Sequence, residues 1–141
     1  MTDNISETIK NIIIDFRGMN SWEDKYKHLI ELGKDLPPME ENFRSEKNLV
    51  KGCQSRVWFH VDLKDGRLYF QGDSDAAIVK GLVALLLKVY SGRTPDEILS
   101  TKPNFLGDIG LREHLSMSRS NGLSSMLKQI SLYAIAFKSQ L

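Results

Sequence analysis

A β-hairpin is the feature that most constrains how this chain can fold. Between Val57 and Leu63, apolar residues alternate with Trp58, His60 and Asp62, which is the period of a strand. Asp65-Gly66 follows and favours a two-residue hairpin turn. The register predicted from this turn pairs Lys64 with Arg67, Leu63 with Leu68, and Val61 with Phe70. Both strands then place their apolar side chains on one face, which another layer must cover.

Helical periodicity flanks the hairpin on both sides. Asp73-Ser74-Asp75 supplies candidate capping side chains for the helix that follows the hairpin. Two glycines, at 107 and 110, interrupt one of the later segments. The predicted helices cover about residues 6–16, 22–34, 76–90, 95–100, a broken segment over 105–115, and a terminal helix over 123–137.

Asn48-Leu49-Val50 is predicted to add a short strand before the hairpin, which places Cys53 at the tip of the turn between the first two strands. The chain of 141 residues suits one domain that needs neither a metal nor a disulfide for stability. We therefore expect a single α+β domain over residues 1–141, with a three-stranded antiparallel sheet covered by helices.

The charge balance argues against a polyanionic partner. Lys plus Arg number 19 and Asp plus Glu 18, and no basic block is present, so nucleic-acid binding is not expected. The longest apolar run is too short for a membrane span, and the N-terminal residues lack a basic region followed by an apolar one. A cytoplasmic protein without membrane contact is expected.

Cys53 is the only cysteine, so an internal disulfide is impossible. Lys51 and Arg56 are cations that would favour its thiolate, and Gly52 would permit a tight turn beside it. The alternative is that Cys53 is a small buried apolar residue without chemistry.

Other site chemistries find little support. His28, His60 and His114 are dispersed, and no second cysteine is present, so a zinc site or a thiolate-held cluster is not expected. A cysteine hydrolase would need a base such as His60 or His114, and no local signature of such an enzyme occurs. Arg119 lies among serines at a predicted helix start, where a cation opposes the helix dipole, so a compensating carboxylate is expected.

Three segments together resemble the SufE/CsdE family: Leu49–Trp58 around the cysteine, Gly72–Leu82, and Ser118–Leu123. The resemblance extends from about residue 9 to 130. It implies a fold similar to IscU-type scaffolds and a role as sulfur acceptor for a SufS/CsdA-like cysteine desulfurase in iron–sulfur cluster assembly. Cys53 falls on the persulfide-bearing cysteine of that family and Arg119 on a partner-contacting arginine. Met117 departs from the family pattern, where proline is expected.

The leading hypothesis is that Cys53 accepts sulfur from the desulfurase, stimulates it, and passes the sulfur to a cluster scaffold. This chain would be a covalent activator rather than a stand-alone enzyme, with pyridoxal phosphate only in the partner and no metal or cofactor of its own. Single-cysteine composition suits a carrier, because a second nearby thiol would collapse a persulfide into a disulfide. The residues assigned to the thiolate environment and loop are Lys51, Gly52, Gln54, Ser55 and Arg56, and those assigned to partner docking are Arg119, Asp73 and Asp75.

Two alternatives differ in class. One is a regulator that binds the desulfurase without covalently carrying sulfur. The other is an unrelated binding domain in which Cys53 is a plain core residue.

Overall fold

The structure is a computed structural model that describes residues 4–140, the side chain of Arg112 excepted, and these residues form an α+β fold. The predicted domain over residues 1–141 extends beyond this range at both ends. The helices and strands, in chain order, are α1 (Ile5–Arg17), α2 (Trp22–Lys34), β1 (Val57–Lys64), β2 (Arg67–Ser74), α3 (Ala77–Tyr90), α4 (Pro95–Ser100), α5 (Phe105–Asp108), α6 (Leu111–His114) and α7 (Met117–Lys138).

The hairpin forms with the register that the sequence predicts. Lys64 lies opposite Arg67, and the apolar pairs behind the turn match as expected. Asp65 and Gly66 have φ angles of 52° and 77°, which is the left-handed pair that a tight hairpin turn of this kind requires. Phe59 and Phe70 are both buried on the inner face, with ring centroids 6.3 Å apart.

The expected third strand is wrong, because within the described residues the sheet contains only β1 and β2. Leu49 makes an isolated antiparallel bridge with Trp58, and the Val50 amide donates to the Val57 carbonyl at 2.8 Å. Asn48 instead ends a short 3₁₀ turn, where its buried side chain donates to the Phe43 carbonyl at 2.8 Å. The 3₁₀ turn before Leu49 and the turn after Val50 limit strand pairing here to a single bridge.

Helix α3 is the centre of the core. It packs against α1, α2, β2 and α7, and it is buried on most sides, as its composition predicts. Gly81 allows α2 to approach closely, because a Cβ there would lie 2.2 Å from the carbonyl oxygen of Leu29. Gly33 faces the same point from α2, where a Cβ would lie 2.9 Å from the Gly81 nitrogen. Two glycines thus set the distance between these helices.

Two helix starts differ from expectation. Helix α3 has no capping side chain at Ala76, because β2 continues through Ser74 and the carboxylates of Asp73 and Asp75 bond elsewhere. Helix α7 begins at Met117, earlier than the predicted 123, since the Ser116 hydroxyl accepts a hydrogen bond from the Arg119 amide at 3.3 Å. The apolar stripe of α7 begins only at Leu123, so hydrophobic periodicity does not detect the polar first turn of this helix.

Replacing Gly81 by alanine should destabilise the fold, because the added methyl group collides with backbone rather than with a movable side chain. We expect a loss of about 1–3 kcal/mol or more in the free energy of unfolding, measured by urea denaturation. Gly107→Ala is the matched control, since nothing lies within 4 Å of a Cβ there. Its unfolding free energy should change by less than about 0.5 kcal/mol. Equal stability of the two variants would show that α2 and α3 do not depend on this close approach.

Candidate functional site

The loop that carries Cys53 lies between the Leu49 bridge and β1, and it rests against α7. Gly52 has a φ of 93°, which side-chain-bearing residues rarely adopt. A Cβ at Gly52 would also lie 2.4 Å from the Ser125 hydroxyl oxygen on α7. Both observations support the predicted need for glycine before Cys53.

Both ends of this loop are held by the hairpin. At its start, Val50 bonds to Val57 of β1. At its end, the Arg56 amide donates to the Asp75 carboxylate at 3.0 Å, and the Asp75 amide donates to the Arg56 carbonyl at 3.3 Å. Asp75, which was assigned to partner docking, is exposed but also closes the loop. The residues between these anchors include the cysteine and lie against α7.

Cys53 opens onto a cavity of about 320 Å³ between its loop, α3 and the first turns of α7. Gln54 and Ser55 line this cavity beside the cysteine. Lys51 and Arg56 are exposed and do not line it. The wall from α3 is apolar and includes Leu82, while the wall from α7 carries polar groups. The polar residues from that segment are Ser116, Ser118 and Arg119.

The sulfur of Cys53 is half-buried and donates a weak hydrogen bond to the Gly122 carbonyl at 3.6 Å. Burial raises the pKa of the Cys53 thiol above its ordinary value. The expected lowering of this pKa by Lys51 and Arg56 is therefore not found. Burial therefore favours the neutral thiol of Cys53 in this conformation.

Asp73 occupies a buried ionic cluster rather than an open surface. Its Oδ2 accepts from the Arg44 Nε at 2.7 Å, and Lys80 lies 3.4 Å from Oδ1. Burial acts to raise the pKa of this carboxyl, but the hydrogen bonds from Arg44 and the Ser74 amide, with the charge of Lys80, hold the pKa below its ordinary value. The cluster ties the segment before the cysteine loop to β2 and α3. The predicted docking role of Asp73 stays a prediction.

Arg119 lies in the first turn of α7, is exposed, and reaches the cavity that Cys53 lines. The compensating carboxylate predicted for it is not found, since no ion pair with Arg119 is present in the part of the chain that the structure describes. An arginine at a helix start without an acidic neighbour leaves positive charge at the cavity mouth. Such a site favours anions.

The histidines lie elsewhere. The His60 ring stacks on Phe43 with centroids 3.7 Å apart, and the His114 ring stacks on Trp22 at 3.8 Å. Neither lines the Cys53 cavity, so the arrangement offers no adjacent base of the kind a cysteine hydrolase uses. No cluster of three or more metal-ligating side chains occurs among the described residues.

Sequence reasoning missed Gly122 as a site residue. A Cβ there would lie 3.5 Å from the Cys53 sulfur, so the glycine leaves open space beside that atom. The same reasoning missed Ser116 and Ser118 as part of the cavity wall. The segment Ser118–Leu123 was noted as a motif, and only the fold shows that it faces the cysteine.

A single half-buried thiol beside a cavity with a basic mouth defines the class of the protein: a small domain built around one protected cysteine. The family model described as "SufE: Fe-S metabolism associated domain" matches residues 10–134. An uncharacterized SufE-like protein of Rhizobium meliloti (strain 1021) is 47% identical over 128 residues, which are 87% of this chain and 91% of that protein. The chain belongs to the SufE family.

A solved structure supports the fold independently. The solution structure of a hypothetical protein from Thermus thermophilus aligns with a TM-score of 0.76 at 24% identity, covering 92% of this chain and 94% of that one. This likeness shows a shared fold. In the described range, no helix has the length and apolar content needed to cross a membrane.

Alkylation of Cys53 by iodoacetamide should show a raised pH midpoint, because burial disfavours the thiolate that reacts. We expect the midpoint in the folded chain to exceed that of the same chain unfolded in guanidinium chloride. A folded pKa above the unfolded one also means that the neutral thiol stabilises the fold at low pH, and this contribution is lost as pH rises through the folded pKa. Cys53→Ser is the labelling control. A folded midpoint at or below the unfolded one would contradict the burial argument.

Proposed function

We propose that Cys53 accepts sulfur from the persulfide of a cysteine desulfurase in the cytoplasm and delivers it for iron–sulfur cluster assembly. The observation that carries this proposal is the placement of the chain's only cysteine, half-buried, beside a cavity with a basic mouth in a SufE-family fold. A reducing compartment keeps such a thiol free. Removing sulfur from the desulfurase would stimulate that enzyme.

The transfer is an exchange without net oxidation or reduction. The Cys53 thiolate attacks the outer sulfur of the partner's persulfide, forming a new sulfur–sulfur bond on Cys53. The partner's sulfur–sulfur bond breaks and its cysteine leaves as a thiolate, which takes up the proton that Cys53 released. A second exchange of the same kind passes the outer sulfur to the next acceptor.

Raised pKa and half-burial are compatible with this chemistry if docking changes the surroundings of Cys53. A neutral resting thiol is a poor nucleophile, so it is protected from stray electrophiles and oxidants. Contact with the desulfurase would move the loop outward and replace apolar neighbours with polar ones. Between the anchors at Val50 and Asp75, the Cys53 side chain is held by a weak hydrogen bond to the Gly122 carbonyl, and breaking this bond would allow such a movement.

The space around Cys53 supports temporary storage of the extra sulfur. Gly122 leaves room next to the thiol, and the cavity volume of about 320 Å³ far exceeds one sulfur atom. After transfer the terminal sulfur is an anion, and Arg119 with the hydroxyls of Ser116 and Ser118 lines the same cavity. These groups favour negative charge there.

Incubating the full chain with a cysteine desulfurase and cysteine should add about 32 Da, the mass of one sulfur atom, to Cys53. Intact-mass spectrometry without reductant detects the adduct, and treatment with dithiothreitol should remove it. Cys53→Ser should gain no mass and should lose stimulation of sulfide release by the desulfurase.

An unmodified Cys53 combined with stimulation that survives Cys53→Ser would overturn covalent acceptance. That pair of results would favour the alternative, a regulator that binds the desulfurase without carrying sulfur. An adduct that forms on the native chain but not on Cys53→Ser would favour the role of a sulfur carrier.

Arg119→Ala should weaken sulfur acceptance because it removes positive charge from the cavity mouth, and it should leave the fold intact because the side chain is exposed and takes no part in the core. We expect roughly tenfold more of this chain to be needed for half-maximal stimulation of the desulfurase, consistent with loss of one interfacial charge. Arg119→Lys should recover part of the effect. Unchanged stimulation by Arg119→Ala would remove this residue from the docking surface.

A further inference from the structure

A second groove lies on the other side of the Cys53 loop from the cavity. It has a volume of about 440 Å³ and runs between the segment before the cysteine and the middle of α7. Lysines from both segments surround it, and apolar side chains form its floor. The lysines are Lys47, Lys51 and Lys128, and the apolar or aromatic residues are Leu49, Leu132 and Tyr133.

The three lysines are exposed and carry charge that their surroundings do not neutralise. None of them forms an ion pair with a carboxylate in residues 4–140. Most of the chain's charge is balanced, since its net charge is only +1. Three unpaired cations around one groove are therefore a local concentration of positive potential that attracts an acidic ligand.

The apolar strip on α7 consists of the groove residue Leu132 and the nearby Ile135, whose side chains are exposed. Leu132 is 47% exposed and Ile135 is 56% exposed. Lys128 lies four residues before Leu132 and seven before Ile135, so all three share one face of the helix. A ligand that matches this surface carries acidic groups for the lysines and apolar side chains for the strip.

We infer that this groove binds an acidic, partly apolar segment of a partner protein. The apolar strip favours a polypeptide over a nucleic acid, whose binding rests chiefly on phosphate charge. Helix α7 presents the cavity residues Arg119 and Gly122 on one face and the groove residues Ser125 and Lys128 on the adjacent one.

The groove contacts the cysteine loop directly. Lys51 lines it and stands two residues before Cys53, and Ser125 lines it while packing against Gly52. A bound segment therefore touches the same backbone turn that positions Cys53. Binding in the groove changes the exposure of the thiol, and this effect does not require sulfur transfer.

The test uses the full chain, labelled with ¹⁵N, and a synthetic amphipathic peptide with glutamates on one face and leucines on the other. Binding should shift the amide resonances of Lys51, Ser125 and Lys128, and should change the alkylation rate of Cys53. Lys47→Glu/Lys128→Glu should weaken binding by roughly tenfold or more, since it reverses two of the three charges. Lys10→Glu/Lys27→Glu makes the same net charge change at exposed lysines outside the groove and should bind like the parent.

Two further ligands test whether binding depends on acidic charge and whether the groove prefers a polypeptide to a nucleic acid. A peptide with glutamine in place of each glutamate should bind weakly, as should a single-stranded DNA oligonucleotide. Equal binding by the glutamine peptide would remove the role of charge, and tighter binding by the oligonucleotide would replace the protein partner with a nucleic acid; either result overturns the inference. Resonance shifts away from the groove, or equal weakening by the two double variants, would overturn it as well. Persulfide formation on Cys53 is measured separately, so failure of the groove and failure of sulfur acceptance remain distinguishable.

Discussion

The burial of α3 is the constraint on which the rest of the structure depends. Several of its leucines and valines have no exposed surface, and each such side chain contributes about 1.5–3 kcal/mol when it is removed from water. The other layers must cover it on every side, so α2 approaches at Gly81, the hairpin covers a second side, and α7 a third. The first turns of α7 and the start of α3 then meet beside the Cys53 loop, and the cavity lies between them.

The ionic cluster at Asp73 links this core to the loop. Asp73 lies near the end of β2, Arg44 belongs to the segment that leads into the loop, and Lys80 belongs to α3. Because the Asp73 carboxylate is buried, removing the Arg44 guanidinium that donates to it would leave that charge with only the more distant Lys80 at 3.4 Å. The loop is therefore held at its base, while its tip contacts α7 through Gly52 and through the weak hydrogen bond from Cys53 to Gly122.

Local signals predicted the elements that local physics determines. The Asp65-Gly66 turn and strand alternation predicted the hairpin register, and the Thr94 capping box predicted α4. The third strand was missed, because Asn48 ends a short 3₁₀ turn and its side chain bonds to the nearby Phe43 carbonyl, a local geometry that alternation of apolar residues does not reveal. The pKa of Cys53 was also missed. Sequence shows the charges of Lys51 and Arg56 but not the burial that outweighs them.

Burial of Cys53 limits the reactivity of its thiol in the free chain. If Lys51 and Arg56 lay close to the sulfur, the thiol would ionise in the free protein and react with any electrophile. The structure instead places both cations outward and leaves an apolar wall and Gly122 next to the sulfur. Lys51 instead lines the groove on the other face of the loop. The charge of Lys51, which sequence reasoning assigned to the thiolate, is thus positioned to recognise a partner. A partner bound in the groove can then activate Cys53 from a surface separate from the cavity.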